Sequence, residues 1–292
     1  MCKQLLINRL TIKDFLINIF LYIRFFIYSR INLTKRISDK NKPDYDLTFI
    51  EEFDTVTWDY DGSTKWKIGE SFGLYHPDKD NVYYGEPDII KIGKKSYGKF
   101  KVEYKPKKFG EIEIPFAVSL LSSEKSFYQQ YGRFECRMNL PMDRGAWPAF
   151  WLWGPSWPPE IDIIEAYGKK NGNSIKTQKV NLWWNKDNEP DCIGGKQISL
   201  PDADFHEFAL EWRPGYMKFY TDGVLVFQYT NKKILNEFYN KNGTNMWIII
   251  NHSIQEQYVK RDEQDYYSEF LVDYIRVYTK NKFKKSRLYF CL

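Results

Sequence analysis

The sequence feature that most restricts the fold is a series of short runs in which apolar and polar side chains alternate. The runs lie at residues 99–104, 111–114, 131–138, 205–212, 217–220, 224–229 and 270–278. Because the side chains of a β-strand point alternately to its two faces, this pattern predicts half-buried strands. The pair Asp222-Gly223, between two of the runs, predicts a tight hairpin.

No long stretch has a helical period, and no repeat or linker divides residues 41–280. Short strands separated by Gly, Pro, Asn or Asp are typical of antiparallel sandwiches. With 292 residues, the chain is long enough to bury one large core. We therefore predict a single all-β domain over residues 41–280, built as a sandwich of two antiparallel sheets.

The two ends of the chain differ from this body in charge. Residues 1–40 and 281–292 are basic, and together they carry more positive charge than the net +5 of the whole chain. The body between them is therefore net acidic. A nucleic-acid-binding domain concentrates basic charge on its folded body, so we expect no nucleic acid as a partner.

Residues 1–40 form a leader that we exclude from the fold. Basic side chains precede an apolar run at residues 15–28, which Arg24 interrupts. This order is similar to an export signal or a membrane-proximal anchor, although no small-residue cleavage site follows. An unstructured leader is the alternative. The first two interpretations predict a secreted or cell-surface protein that could associate with a membrane. Separately, we expect a monomer.

The histidines and cysteines do not form a site. The chain has three His and four Cys, and neither set has the spacing of a metal site. A single His on a strand is more often a hydrogen-bonded structural residue than a ligand. A Cys136–Cys192 disulfide and two buried thiols both remain open. We therefore look for candidate catalytic residues among the carboxylates.

Three carboxylates lie close together in the segment Glu160-Ile161-Asp162-Ile163-Ile164-Glu165. In a regular strand, Glu160 and Asp162 share one face and Glu165 points to the other. One extra residue, a β-bulge at Ile163-Ile164, would return Glu165 to the face of the other two acids. Three ionised carboxylates on one face repel one another, which destabilises the folded state. The repulsion is relieved if their pKa values differ, so that they are not all ionised at the same pH. A strand with its acids in solvent is the alternative.

A split pair of carboxylates is what a retaining glycosidase needs. One is ionised and acts as the nucleophile, the other is protonated and acts as the acid, and they lie roughly 5–5.5 Å apart. Upstream, Trp147, Trp151 and Trp153 have the same parity, so an extended chain places them on one face. Aromatic faces provide the apolar surface on which a sugar ring can stack. The combination of aromatic and acidic side chains predicts a sugar-binding surface next to the site of bond cleavage.

Over roughly residues 45–280, the chain resembles glycoside hydrolase family 16, the group of laminarinases, lichenases and agarases. The resemblance rests first on the E-x-D-x-x-E form of residues 160–165. It rests also on residues 131–135, 147–152, 205–212 and 271–278. It implies a concanavalin-like β-jelly-roll.

The resemblance also implies roles for individual residues. Glu160 is implied as the nucleophile and Glu165 as the general acid/base, with Asp162 tuning the nucleophile. Trp147 and Trp151 match positions near the cleft of the family.

The resemblance also bears on two further residues. Trp183 is a candidate for sugar stacking, where the laminarinase-like members usually carry a His on the strand after the motif. No cofactor is required, but the family often holds a structural calcium on its convex side. Asp273 matches one recurring ligand of that calcium.

The sequence departs from the family pattern at two segments that border the cleft, residues 180–185 and 248–254. The resemblance therefore implies an enzyme class without naming the polysaccharide. We predict a retaining, endo-acting hydrolase of a β-1,3-glucan, a β-1,3/1,4-glucan or a β-galactan, working by double displacement. A non-catalytic, lectin-like jelly-roll and a transglycosylase are the alternatives.

Overall fold

A computed structural model describes residues 16–17, 19–21, 23, 42, 44–76, 81–141, 143–168, 177–187, 189–200, 202–238 and 245–280. Most of the predicted leader and the whole predicted tail at residues 281–292 lie outside the described residues. Within the described parts, no helix is both long and apolar enough to cross a membrane.

Strands make up most of the described chain. They are β1 (Tyr45–Glu51), β2 (Trp58–Asp59), β3 (Trp66–Ile68), β4 (Val82–Gly85), β5 (Asp88–Ile92), β6 (Lys95–Phe109), β7 (Ile112–Ser122), β8 (Tyr128–Gln129), β9 (Gly132–Met138), β10 (Ala146–Trp153), β11 (Glu160–Glu165), β12 (Thr177–Lys186), β13 (Glu189–Ser199), β14 (His206–Arg213), β15 (Tyr216–Thr221), β16 (Val224–Tyr229), β17 (Met246–Ile254) and β18 (Tyr267–Lys280). A short helix, α1 (Lys232–Leu235), and a 3-10 turn at Asn236–Phe238 follow β16.

The strands form two packed sheets. The cleft sheet has the order β2-β3-β7-β17-β10-β11-β12-β13. The back sheet has the order β16-β15-β14-β9-β18-β6-β7-β4, with β1 beside the end of β18 and β5 beside the start of β6. Among the described strands, the pairings β2–β3 and β4–β7 are parallel and the others antiparallel. The predicted all-β sandwich is confirmed.

Strand β7 belongs to both sheets. Its residues 116–119 pair with β4 in the back sheet, and Leu120, Leu121 and Ser122 pair with β17 in the cleft sheet. Its side chains from Ile114 onward are buried, as expected for a strand that is covered on both faces.

The predicted strands and hairpin are present. Every alternating run falls within a strand, to within one residue at its ends. Asp222 and Gly223 both have positive φ, 51° and 65°, as a two-residue type I′ hairpin between β15 and β16 requires.

The core lies between the two sheets. The back sheet contributes large side chains such as Phe100, Phe134 and Phe208, and the cleft sheet contributes Phe150 and Leu182, all fully buried. Each such side chain contributes about 1.5–3 kcal/mol through burial. One face of the cleft sheet is therefore fixed by packing in the core, while its other face is open.

Cys136 is a free thiol within this core. The Cys136–Cys192 bridge is therefore not formed, and Cys192 is disulfide-bonded, but not to Cys136. Burial raises the pKa of the Cys136 thiol, which keeps it protonated and unreactive.

Asp273, the candidate calcium ligand, lies buried on β18 between two cations. Its Oδ1 is 2.5 Å from Lys95 Nζ, and its Oδ2 is 2.5 Å from Arg137 Nη1. Calcium sites combine several oxygen ligands, whereas here both oxygens already face positive charge. No group of three or more potential metal ligands occurs in the described part of the chain. The surroundings of Asp273 therefore do not fit a calcium ion.

His206 connects the start of β14 to the hairpin turn. Its Nδ1 is 2.9 Å from Asp222 Oδ2, and its Nε2 is 3.1 Å from Asp202 Oδ1. Burial disfavours the charged ring, but the two carboxylates outweigh burial and raise the pKa of His206. His206 is therefore a structural residue of the back sheet.

This ion pair predicts a specific pH dependence of stability. Because the pKa of His206 is raised in the folded state, its contribution is full below the unfolded value of about 6.5 and is lost as the pH rises through the folded value. The stability difference between the wild type and His206→Asn should be larger at about pH 6 than at about pH 9. Urea unfolding at both pH values measures this difference in the free energy of unfolding. Asp202→Asn removes one of the two carboxylates, so its stability should show part of the same pH dependence. An equal difference at both pH values would contradict the assignment.

Candidate active site

The predicted bulge is present in β11. On one side, Phe150 pairs with Ile164 while the next residue, Trp151, pairs with Asp162, so Ile163 has no partner on β10. On the other side, the pairing with β12 is irregular between Asp162 and Glu165. Ile163 and Ile164 are both fully buried, and the alternation is reset between them.

As a result, Glu160, Asp162 and Glu165 all line one cleft on the open face of the cleft sheet. Asp162 and Glu165 are buried, with exposures of 3% and 8%, and Glu160 is partly buried. The structure therefore brings together the three acids that the spacing predicted.

Glu165 is held by three donors. Trp147 Nε1 donates to Glu165 Oε1 over 2.9 Å, and the Tyr167 hydroxyl donates to the same oxygen over 2.6 Å. Asn181 Nδ2 donates to the other oxygen, Oε2. These contacts come from β10, from the turn after β11 and from β12. They fix the carboxylate from three directions.

Glu160 has a different environment. Trp157 Nε1 donates to Glu160 Oε2 over 2.8 Å, from the loop between β10 and β11. Asp162 forms a hydrogen bond with Glu160 and another with Asn181. Asn181 thus links Asp162 to Glu165, and the three acids form one connected network.

The network separates the titration of its members. Burial, followed by the charge of Glu165, raises the pKa of Glu160 to about 7, against the opposing hydrogen bonds from Trp157 and Asp162. Burial, followed by the charges of Glu160 and Glu165, raises the pKa of Asp162. The triad therefore retains a proton near neutral pH, with Asp162 donating to Glu160.

The cleft has two halves that meet at the triad. The aromatic half has a volume of about 450 Å³ and is lined by side chains that include Phe72, Tyr84, Trp151 and Trp153. The polar half has a volume of about 600 Å³ and is lined by Tyr167, Lys179, Trp183, Gln197 and Gln255, among others. Trp147, Trp157 and the three acids line both halves.

The predicted tryptophans lie in this cleft. Trp151 and Trp153 stack with ring centroids 5.7 Å apart, and Trp151 Nε1 donates to Asn251 Oδ1 over 2.8 Å. Trp183 lies 5.6 Å from Trp157 on the other side of the triad. Among the predicted tryptophans, Trp147 is the one that donates a hydrogen bond to an acid of the triad.

Sequence reasoning missed several residues of the site. Tyr167 and Asn181 bond to Glu165, Asn251 holds Trp151, and Glu70 lines the aromatic half. The sequence could have indicated Asn181, because it lies two residues before Trp183 on β12 and therefore points to the same face of the strand. Glu70 lies in a distant segment, and no local pattern connects it to the triad.

His252 does not reach the cleft. It is fully buried on β17, where its Nε2 lies 2.8 Å from Ser268 Oγ. Burial lowers its pKa to about 3, so the ring is neutral and structural.

Comparisons with known proteins agree with this geometry. The family model described as "Glycosyl hydrolases family 16" matches residues 96–276. The Beta-glucanase of Rhodothermus marinus is 26% identical over 272 residues, which cover 82% of this chain and 87% of that protein. Endo-1,3-1,4-beta-glycanase ExsH of Rhizobium meliloti (strain 1021) is 27% identical over 168 residues, which cover 56% of this chain. The chain spans about a third, 34%, of the length of ExsH.

A solved structure shares the fold. The laminarinase catalytic domain from Thermotoga maritima MSB8 superposes with a TM-score of 0.63 and 22% identity, covering 82% of this chain and 99% of that one. At this identity the similarity concerns the fold alone.

The Trp157 hydrogen bond leads to a direct test of the electrostatics. Trp157→Phe removes the donor to Glu160, so the pKa of Glu160 should rise above about 7. NMR of isotope-labelled glutamate carboxyl carbons measures the titration, with Glu160→Gln to assign the resonance. Trp153→Phe is the matched control, because no hydrogen-bond partner of Trp153 Nε1 exists among the described residues. An unchanged titration in Trp157→Phe would contradict this role.

Proposed function

Because the chain belongs to glycosyl hydrolase family 16, we propose that it is an endo-acting glycosidase that cleaves a β-linked polysaccharide with retention. The observation that carries the proposal is the bulge in β11. It turns Glu165 to the same cleft as Glu160 and Asp162, at the point where the two halves of the cleft meet.

In the proposed reaction, Glu165 takes up a proton from solvent before the bond is cut. Glu160 then attacks the anomeric carbon while Glu165 gives that proton to the leaving glycosidic oxygen. The glycosidic bond breaks, and a glycosyl–Glu160 ester forms. Glu165 then takes a proton from water, which attacks the anomeric carbon and releases Glu160 as a carboxylate. Asp162 donates a hydrogen bond to Glu160 and stabilises its ionised form.

The cleft supports endo action. It continues on both sides of the triad, so sugar units can lie on either side of the bond that is cut. The names of the relatives favour a β-1,3- or β-1,3/1,4-glucan as the polymer. A β-galactan remains the second candidate, because residues 180–185 and 248–254 depart from the laminarinase pattern.

The basic and apolar leader supports a secreted or cell-surface location, where polysaccharides are encountered. Association of the leader with a membrane and a monomeric state are part of the same proposal. Size-exclusion chromatography with light scattering, and fractionation of cells that express the full chain, test these points.

The first prediction concerns the two acids. Glu160→Gln and Glu165→Gln should each reduce the release of reducing ends by roughly a hundredfold to ten-thousandfold. The thermal midpoint of Glu160→Gln should not fall, because it removes one charge from a mutually repelling group. Glu165→Gln also replaces an acceptor of the donors from Trp147, Tyr167 and Asn181, so its midpoint should stay close to that of the wild type or lie slightly below it. Glu189→Gln, an exposed acid on β13, is the control for loss of charge. Full activity in both cleft variants would refute the assignment.

The second prediction separates the roles of the two acids. With azide added, Glu165→Ala should form a β-glycosyl azide through the ester on Glu160, whereas Glu160→Ala should form the α-anomer by direct attack. NMR of the product resolves the two anomers. The reverse pattern would exchange the nucleophile and the acid/base.

The third prediction concerns pH. Glu160 must be ionised to attack, and its pKa is raised to about 7, so kcat/KM should rise as the pH increases through about 7. A pH profile of initial rates measures this. An activity that is already maximal at about pH 5 would contradict the role of Glu160.

The substrate is tested by a screen of β-1,3-glucan, mixed-linkage glucan, agar, porphyran and carrageenan for oligosaccharide release. Binding without any release after long incubation would favour the lectin-like alternative. Transfer products at high acceptor concentration would favour the transglycosylase.

A further inference from the structure

The polar half of the cleft contains a lysine beside the triad. Lys179 on β12 is the direct cross-strand partner of Glu165, and Gln197 on β13 is the partner of Lys179. The three residues therefore form one row across three strands, on the face that carries the cleft. Of the described residues that line either half, Lys179 is the only Lys or Arg.

Although it lies opposite Glu165, Lys179 does not form an ion pair with it. Both oxygens of Glu165 are occupied by Trp147, Tyr167 and Asn181. The Lys179 ammonium lies instead over the ring of Tyr167, 4.9 Å from its centroid. The Tyr167 hydroxyl is bonded to Glu165, so one side chain contacts the cation through its ring face and the acid through its hydroxyl.

This arrangement is costly for a neutral substrate. A sugar that covers the half-buried ammonium would remove water from it and offer only hydroxyl oxygens in return. The cation–π contact with Tyr167 offsets only part of that loss.

An anionic substrate, in contrast, would be repelled by the acids of the cleft unless a cation lies nearby. Glu160, Asp162 and Glu165 line the cleft, and the exposed Glu256 stands on the rim of the polar half. These acids repel a negative group except where a positive charge is fixed nearby. Lys179 supplies that charge in the row next to Glu165.

We propose that the polar half of the cleft binds a sugar unit that carries an anionic substituent, a sulfate ester or a carboxylate, through the ammonium of Lys179. The inference rests on the proposed cleavage at the triad, which adjoins this half, and not on the neutral glucan that the names of the relatives favour. Gln197, the next side chain in the row, donates hydrogen bonds to the same group.

The test measures binding and does not depend on catalysis. Glu160→Gln protein is titrated calorimetrically with two matched pairs of β-linked oligosaccharides. One pair is a sulfated galactan fragment and its desulfated form, and the other is an oligouronide and its carboxyl-reduced form. Lys179→Gln, Lys179→Arg and Lys186→Gln are each added to the same background; Lys186 is an exposed lysine on the same strand.

The expected result is preferential binding of at least one anionic ligand over its neutral partner. Lys179→Gln should reduce that preference about tenfold, as expected for loss of a hydrogen bond to a charged group. Lys179→Arg should retain most of it, and Lys186→Gln should leave it unchanged. Added salt should weaken the preference in the parent protein.

The two pairs identify the group: a preference confined to the sulfated pair assigns a sulfate, and one confined to the uronide pair assigns a carboxylate. Equal affinity for charged and neutral partners, or a Lys179→Gln preference equal to the parent's, overturns the inference. The proposed function fails separately, if the wild type releases no reducing ends from any polymer that it binds.

Discussion

The site depends on one electrostatic constraint: three carboxyl groups that share a buried strip cannot all be ionised. Glu160, Asp162 and Glu165 are held within mutual reach by β11 and its bulge. The cost of their proximity is reduced by a retained proton and by donors from neighbouring strands. The same constraint gives the acids unequal chemistry, because Glu165 is fixed by three donors and Glu160 mainly by Trp157 and Asp162.

The parts of the site that follow from strand periodicity were predictable from the sequence. The parity of Glu160 and Glu165 required a bulge, and the parity of Trp147 and Trp151 placed both in the cleft. Contacts between distant segments were not predictable. The two cations around Asp273 come from β6 and β9, so a carboxylate that matched a calcium ligand in the family pattern is neutralised by side chains instead.

The two departures from the family pattern have structural explanations. Asn181, in the first of the two segments, joins Asp162 to Glu165. Asn251, in the other unusual segment, orients Trp151. Both side chains are amides that can donate and accept at once, so hydrogen bonding around the acids and the aromatic half is maintained by uncharged groups.

Strand β7 couples the two layers mechanically. Since one continuous segment is hydrogen-bonded into both sheets, the layers cannot slide past each other without breaking that strand's ladder. The floor of the groove is thus a stiff template whose curvature is set by the whole sandwich.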